Sequence, residues 1–464
     1  MKNRNINSFS LLVIVIGLFY ITISCDSFVE VALPSSQLTA ATVFEEKATA
    51  NAAMTDIYSK LRDNSLLTGN GSGINVALGA YTDELEYYGN GTVGTHFFYS
   101  NTVLPTDGTI GGWWSAGYNQ IYAANAVYEG VNAATKLIQT DKDQLMGEAL
   151  FVRALVHFHL VNIFGDIPYI TTTNYEQNKV VTRMPSADVY SHIITDLETA
   201  KALLPTEYFG GLRVRPNRYV AAALLARVYI YQGNYAAAAN AATTVINETG
   251  TFTLETNLDN TFLKESQSTI WQLIPQVEGR NTDEGATFIF TAGPPSFVAF
   301  TNDLINDFEP GDLRKSHWTK AVTNGTNTWY HAYKYKQQTL TGTTVEYSIV
   351  FRLSEQYLIR AEARAQLNDI QGATDDLNTI RNLAGLSNTT AANQQDLLSA
   401  IMQERRVEFF TESGHRFFDL KRTHQLDNTL SGIKPAWNTS DALLPLPESE
   451  LLLNPNLQPQ NPGY

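Results

Sequence analysis

The stretch RYVAAALLARVYIYQGNYAAAANAATTVI, residues 218–246, decides the fold. Leu225, Ala226 and Tyr229 recur at helical spacing, Gly233-Asn234 interrupts the pattern, and Tyr235, Ala238 and Ala242 resume it. Apolar residues three and four apart mark one face of an α-helix. A Gly-Asn pair supplies the backbone freedom that a tight turn requires. The stretch therefore predicts two helices folded back on each other, with alanines allowing close approach and tyrosines filling the groove.

The same design recurs outward. Residues 353–383 place Tyr357, Ala361, Ala373, Leu377 and Ile380 at matching positions, with Arg360 where a leucine is usual. Upstream, 143–164 (Leu150, Ala154, Phe158, Val161) pairs with 186–204 (Val189, Ile193, Leu197, Leu204), and Ser186 is the expected N-cap. Val43, Phe44, Met54, Ile57, Tyr58 and Leu61 mark a further helix that ends by Asn64, and Trp114, Tyr118, Ile121 and Val131 mark its partner. The spacing is that of the tetratricopeptide helix-turn-helix. The sequence thus predicts an all-α, tetratricopeptide-like superhelix of about four helix pairs (near 42–138, 143–204, 219–249 and 353–383), each burying a face that its neighbour supplies. A capping helix at 394–413 completes one body over 25–464, interrupted by loop-rich insertions at 64–112, 251–350 and 423–464. Insertions of such length in a compact fold usually carry function.

The end of the capping helix reads IMQERRVEFFTESGHRFFDLKR, 401–422. Gly414 is the expected C-cap, and the near-equal numbers of cations and carboxylates predict that Glu404, Arg405, Arg406, Glu408, Arg416 and Asp419 form ion pairs within the segment. This reading makes the segment structural and sets aside an acid/base pair of His415 and Glu412.

The pattern ERR-x-E-x-x-x-E-x-GHR-x-FDLKR, with EALFVRALVHFHLVNIFGDIPYI at 148–170, FRLSEQYLIRAEARAQL at 351–367 and LLPLPESELLLNPNLQPQNPGY at 443–464, resembles the SusD/RagB family of outer-membrane nutrient-binding lipoproteins. NDLINDFEPGDLR at 302–314 looks like a recurrent structural stretch of that family. The resemblance runs from the N-terminal signal to the last residue. It implies a glycan-binding protein with no cofactor, which captures oligosaccharide or polysaccharide and delivers it to a SusC/RagA-type TonB-dependent transporter. The alternatives are a peptide binder of the same family or, on other grounds, a glycoside hydrolase.

Composition and the N-terminus agree. The chain of 464 residues carries 46 Asp and Glu against 32 Lys and Arg, a net charge of −14. That argues against nucleic acid as a partner and suits a neutral one. Lys2 and Arg4 precede an apolar run from Leu11 to Ile23, too short to span a bilayer but right for a signal peptide over 1–24. Cys25, the only cysteine, follows directly and reads as the lipidation site, although Thr22 and Ile23 depart from the usual leucine-then-small pattern. The expected location is the outer membrane, lipid-anchored and facing the cell exterior.

No P-loop, G-x-S-x-G, H-E-x-x-H or Cys/His metal spacing occurs, so no catalytic or metal residue is expected. Two carboxylates for glycoside hydrolysis could be drawn from Asp83, Glu84 and Glu86 or from Asp303, Asp307 and Asp312, but sequence spacing does not say which face one another. Aromatics in the polar insertions are the stronger signal. Tyr87, Tyr88, Trp318, Trp329 and Tyr330, with Asp83 beside them, are the candidate ligand residues; Asn90, Asn324 and Asn327 are their polar neighbours. An exposed ring presents a flat apolar plane to the CH face of a sugar. Covering one such ring removes ~50–80 Å² of apolar surface, worth about 1–2 kcal/mol.

Overall fold

The computed structural model describes residues 40–464 apart from Val93, so the signal peptide and Cys25 lie outside the described residues. The principal helices are α1 (Lys47–Asp63), α2 (Ile74–Tyr81), α3 (Gly108–Ala133), α4 (Gln139–Phe164), α5 (Ser186–Leu203), α6 (Arg218–Tyr231), α7 (Tyr235–Ile246), α8 (Leu353–Gln366), α9 (Ile370–Leu383), α10 (Gln394–Phe409) and α11 (His415–Arg422). From α3 to α9, each helix packs on the next, and α1 lies against α3. This is the all-α, tetratricopeptide-like stack that the periodicity predicts.

Local chemistry explains the pair at 218–246. The Asn217 side chain accepts from Tyr219 N at 3.0 Å and Val220 N at 3.1 Å, and Asn234 accepts from Ala237 N at 3.3 Å, so both helices start on an asparagine cap. Gly233 turns the chain with φ 70°. Beyond Leu145, α4 is buried on nearly every side because α3 and α5 enclose it, and its Glu148, Arg153 and His157 are buried with it.

Buried arginines tie the stack together. Arg153 grips Asp196 bidentately at 2.6 Å, joining α4 to α5. Arg227 holds Glu355 at 2.6 and 2.7 Å, joining α6 to α8. Arg360 takes the leucine position because it reaches Asp376 of α9 at 2.8 and 2.7 Å.

Three details differ from the sequence expectation. Pro185 occupies the cap of α5 and Ser186 is its first residue; both Ser186 N and Oγ donate to Asp166, at 2.8 and 2.7 Å. α10 ends at Phe409, and Gly414, at φ 66°, opens α11 instead of closing α10. The left-handed residues Thr411 and Ser413 make the reversal between them. The charges of 401–422 are ion-paired, but mostly to distant elements. Arg405–Asp419 at 2.7 Å is internal, whereas Arg416 pairs with Asp83, Arg406 with Asp83 and Asp307, and Glu404 and Glu408 with Arg314.

Among the described residues, the insertions carry helix α2 and six strands in three two-stranded antiparallel pairs. β1 (Leu85–Tyr87) pairs with β3 (Val298–Phe300), β2 (Thr269–Leu273) with β6 (Ser348–Arg352), and β4 (Thr319–Thr323) with β5 (Thr328–Ala332). The β1–β3 pair joins the first long insertion to the second.

Candidate functional site

In the β1–β3 ladder Leu85 faces Phe300, Glu86 faces Ala299 and Tyr87 faces Val298. Tyr88 continues the pairing by donating its N–H to Phe297 O at 2.7 Å. β5 lies beside β3, and its hairpin with β4 sets Trp329 opposite Val322 and Tyr330 opposite Ala321. Asn324 shapes the turn, its side chain accepting from Thr326 N at 3.0 Å and Asn327 N at 2.9 Å. The asparagines of this loop therefore build the hairpin.

Successive residues of an extended chain point to opposite sides, and this sorts the predicted residues. The Tyr88 phenol donates to Glu86 at 2.6 Å, and the Trp329 side chain lies beside it. Burial and then the Glu86 carboxylate push its pKa up, so Tyr88 stays a neutral phenol. Trp329 is half-buried and its ring lies across Gly293, where a Cβ would come within 2.2 Å of it. Any side chain at 293 would displace the indole. Tyr330 is half-buried and packs against the apolar cluster beneath the insertions. Tyr99 lies close enough to feel the Glu86 charge, and the Lys434 ammonium sits 4.3 Å from its ring centre. Tyr87 takes the other side: its hydroxyl donates to Gly91 O at 3.0 Å, and its ring meets His96 and Phe297 edge-on at 5.7 and 6.2 Å. Phe297 also lines a cleft of about 570 Å³ with Phe290, Thr291, Pro294 and Gln338.

Two predicted residues lie elsewhere. Trp318 is 2% exposed. It closes the short helix Leu313–Trp318, donates its indole N–H to Leu258 O at 3.0 Å, and meets Phe262 edge-on at 5.5 Å. It is a core residue, closed to a ligand. Asp83 is 4% exposed, and both its oxygens are taken, by Arg416 at 2.8 and 2.7 Å and by Arg406 at 3.0 Å. Burial alone would raise its pKa, but Arg416 and then Arg406 bring it below the ordinary value. Asp83 is a structural anchor. His415 is likewise excluded from acid/base work, since burial and the charges of Arg227 and Arg405 hold it well below its ordinary pKa.

Residues 37–230 match the family described as "Starch-binding associating with outer membrane", and residues 306–464 match the SusD family. The chain belongs to the SusD/RagB family. Among relatives, SusD-like protein P2 of Formosa agariphila is 28% identical over 91% of this chain and 93% of its own length. SusD-like protein P25 of the same organism is 24% identical over the whole of both chains. The fold matches a SusD superfamily structure from Bacteroides vulgatus with TM-score 0.80 at 20% identity, covering 91% of this chain and all of that one. It also matches a structure described as a laminarin-binding SusD-like protein, with TM-score 0.77 at 24% identity and the same coverage. A further match, from Bacteroides fragilis, is described as a SusD-like carbohydrate binding protein, and the family matched by residues 37–230 is one described as associating with the outer membrane.

Within this SusD fold the aromatic patch draws on both insertions. Sequence reasoning missed Phe290, Phe297 and Lys434 as its neighbours. The first two flank Gly293-Pro294-Pro295, a turn signal with a ring on each side. Lys434 carried no such signal, because its acceptors, Ala80 O at 2.6 Å and Tyr99 O at 2.9 Å, are more than 300 residues upstream.

Proposed function

We propose that this protein captures neutral oligosaccharide on the half-exposed patch of Tyr88 and Trp329, with Tyr330 packed beneath it, and passes it to a SusC/RagA-type TonB-dependent transporter. One observation carries the reading: Tyr88 and Trp329, 241 positions apart in the chain, lie beside each other although they belong to different insertions. Core packing does not call for an indole laid over a glycine at a loop surface. A sugar ring does, because its CH face stacks on the plane while Glu86 offers an acceptor to its hydroxyls. Two or three such contacts, set against the entropy of association, give Kd values in the millimolar to micromolar range. Weak capture suffices for a protein seated on its transporter, where effective concentration is high.

The protein acts by binding and has no hydrolytic role. Asp83, Asp307 and Asp312 are each engaged by arginine, which supports this. Lipid on Cys25 anchors it to the outer membrane, facing outward. Laminarin is the first glycan to test, followed by an array of neutral polysaccharides. With the best binder, calorimetry on Tyr88→Ala and Trp329→Ala should show affinity falling about five- to thirty-fold for each. Unchanged binding in both variants would refute the site, and product released on long incubation would refute the non-catalytic role.

A further inference from the structure

A second cavity, about 930 Å³, shares no lining residue with the aromatic patch. It opens where the C-terminal end of α4, the start of α5, the end of α11 and the last residues of the chain meet. Most of its lining residues are polar, with the rings of Tyr190 and Tyr231 and the apolar Leu443 and Pro459 among them. Its volume is in the range of roughly 300–1,000 Å³ usual for small-molecule sites.

The charges lining it are unequally paired. The buried guanidiniums Arg153, Arg227, Arg314, Arg352 and Arg405 each have a carboxylate partner. In the cavity, Arg422 follows that rule, paired with Glu362 and Asp419. Lys421 and Arg183 do not. The Lys421 ammonium donates to the Asn162 carbonyl, and no carboxylate among the described residues pairs with it. Arg183 spends its donors on neutral groups: Asp166 O at 2.8 Å, Pro459 O at 2.6 Å and Asn461 Oδ1 at 2.7 Å. Asp166 is the one carboxylate lining the cavity; its Oδ1 accepts from Ser186 N and Oγ, and its charge acts on the half-buried Arg183. Lys421 is the cation left without a carboxylate, and a cation so placed is costly unless an anion enters. On a chain of net charge −14, a cationic cavity also stands against the general field.

We infer that this cavity is a second ligand site, which takes a sugar bearing a carboxylate or a sulfate and pairs that oxyanion with Lys421 and Arg183 while the ring rests on Tyr190 and Tyr231. The two oxyanions share one chemistry, a delocalised charge with several acceptor oxygens. Burial lowers the Lys421 pKa to about 7, so its charge is available below neutrality. The other charged or titratable groups facing it are Arg183, Arg422, Asp166, His424, Tyr190 and Tyr231.

The test is calorimetry on the mature protein with glucuronate and glucose 6-sulfate, and with glucose and inorganic sulfate as controls. At pH 6 at least one charged sugar should bind, more tightly than either control, and which of the two does so identifies the oxyanion. Lys421→Met should weaken that binding at least tenfold, and Trp329→Ala should leave it unchanged. Between pH 6 and 8 the wild-type affinity should fall about tenfold as Lys421 loses its proton, and Lys421→Arg should remove that dependence. Arg183→Gln, at a half-buried position, serves the same purpose should Lys421→Met not fold. The inference is overturned if neither charged sugar binds, if glucose or inorganic sulfate binds as tightly, or if the variants at 421 and 183 bind as the parent does.

Discussion

Removing the Arg416 guanidinium tests whether the charged residues behind the aromatic patch are structural. Arg416 makes both hydrogen bonds to Asp83 from α11, and Asp83 is 4% exposed. Arg416→Ala leaves that carboxylate buried with Arg406 alone, at 3.0 Å. Breaking a buried pair costs about 3–5 kcal/mol. The surviving Arg406 contact puts the expected loss at the lower end, about 3 kcal/mol. For a body of about 425 residues, an unfolding entropy near 2.1 cal/mol/K per residue gives about 0.9 kcal/mol/K, so Tm should drop by about 3 °C. The pH dependence follows from sign. Asp83 titrates below its ordinary value when folded, so its contribution is present above the normal carboxylate pKa and is lost as pH falls through the folded one. The gap in Tm between parent and variant should therefore be full at pH 7 and narrow below about pH 4. Scanning calorimetry at both pH values, with and without glycan, reads this out. A variant that melts like the parent but no longer binds glycan would refute the reasoning and return Asp83 and Arg416 to the ligand site.

The two tryptophans of the second insertion should behave oppositely. Trp318→Ala opens a cavity in the core and should cost about 3–5 kcal/mol of stability, whereas Trp329→Ala should cost mainly glycan affinity; equal melting losses measured by calorimetry would contradict the assignment. Glu84 is buried, and burial followed by the Asp83 charge raises its pKa to about 7. A raised carboxyl is neutral and harmless at pH 5 but is forced to ionise in the interior above pH 7, so Glu84→Gln should raise Tm relative to the parent more at pH 8 than at pH 5, by about 2–3 kcal/mol of stability. An equal difference at both pH values would show that Glu84 is ionised throughout. Cys25→Ala should move the protein from the membrane fraction to the soluble one when the transporter is absent, and unchanged fractionation would remove the proposed anchor.

The helical body was legible because its signal is local. Periodicity of 3.6, asparagine caps and the Gly233-Asn234 turn are all written within a few residues of where they act. The candidate site was legible only in part, because it depends on which side of a strand each ring takes. Tyr88 and Trp329 meet, Tyr87 turns to His96, and nothing in the stretch YYGN separates the two tyrosines beforehand. Trp318 left a faint local trace. It stands four residues after Arg314, on the same side of a helical turn, and a buried arginine there would have pointed the tryptophan inward. Asp83 left none, since its partner is 333 residues downstream.

Those distant ion pairs explain how a loop surface holds a binding geometry at all. Loops lack the repeated backbone bonds that fix a helix, so their relative position must come from elsewhere. Arg406 reaches Asp83 in the first insertion at 3.0 Å and Asp307 in the second at 2.5 Å, so one guanidinium on α10 sets the spacing between them. Thr301 reinforces the junction, donating its hydroxyl to Asp83 O at 2.6 Å and its N–H to Glu84 O at 3.0 Å. Lys334, just beyond β5, is buried and donates to Glu408 O at 2.7 Å and Phe410 O at 2.9 Å, which ties the Trp329 hairpin to the same helix end. Lys434 does the equivalent for the first insertion through Ala80 and Tyr99. Charges at these positions are directional where apolar contacts are not: a bidentate pair fixes orientation as well as distance. On the proposed reading, the conspicuous ERR and GHR motifs serve binding without touching ligand, by fixing from behind the insertions that carry Tyr88 and Trp329.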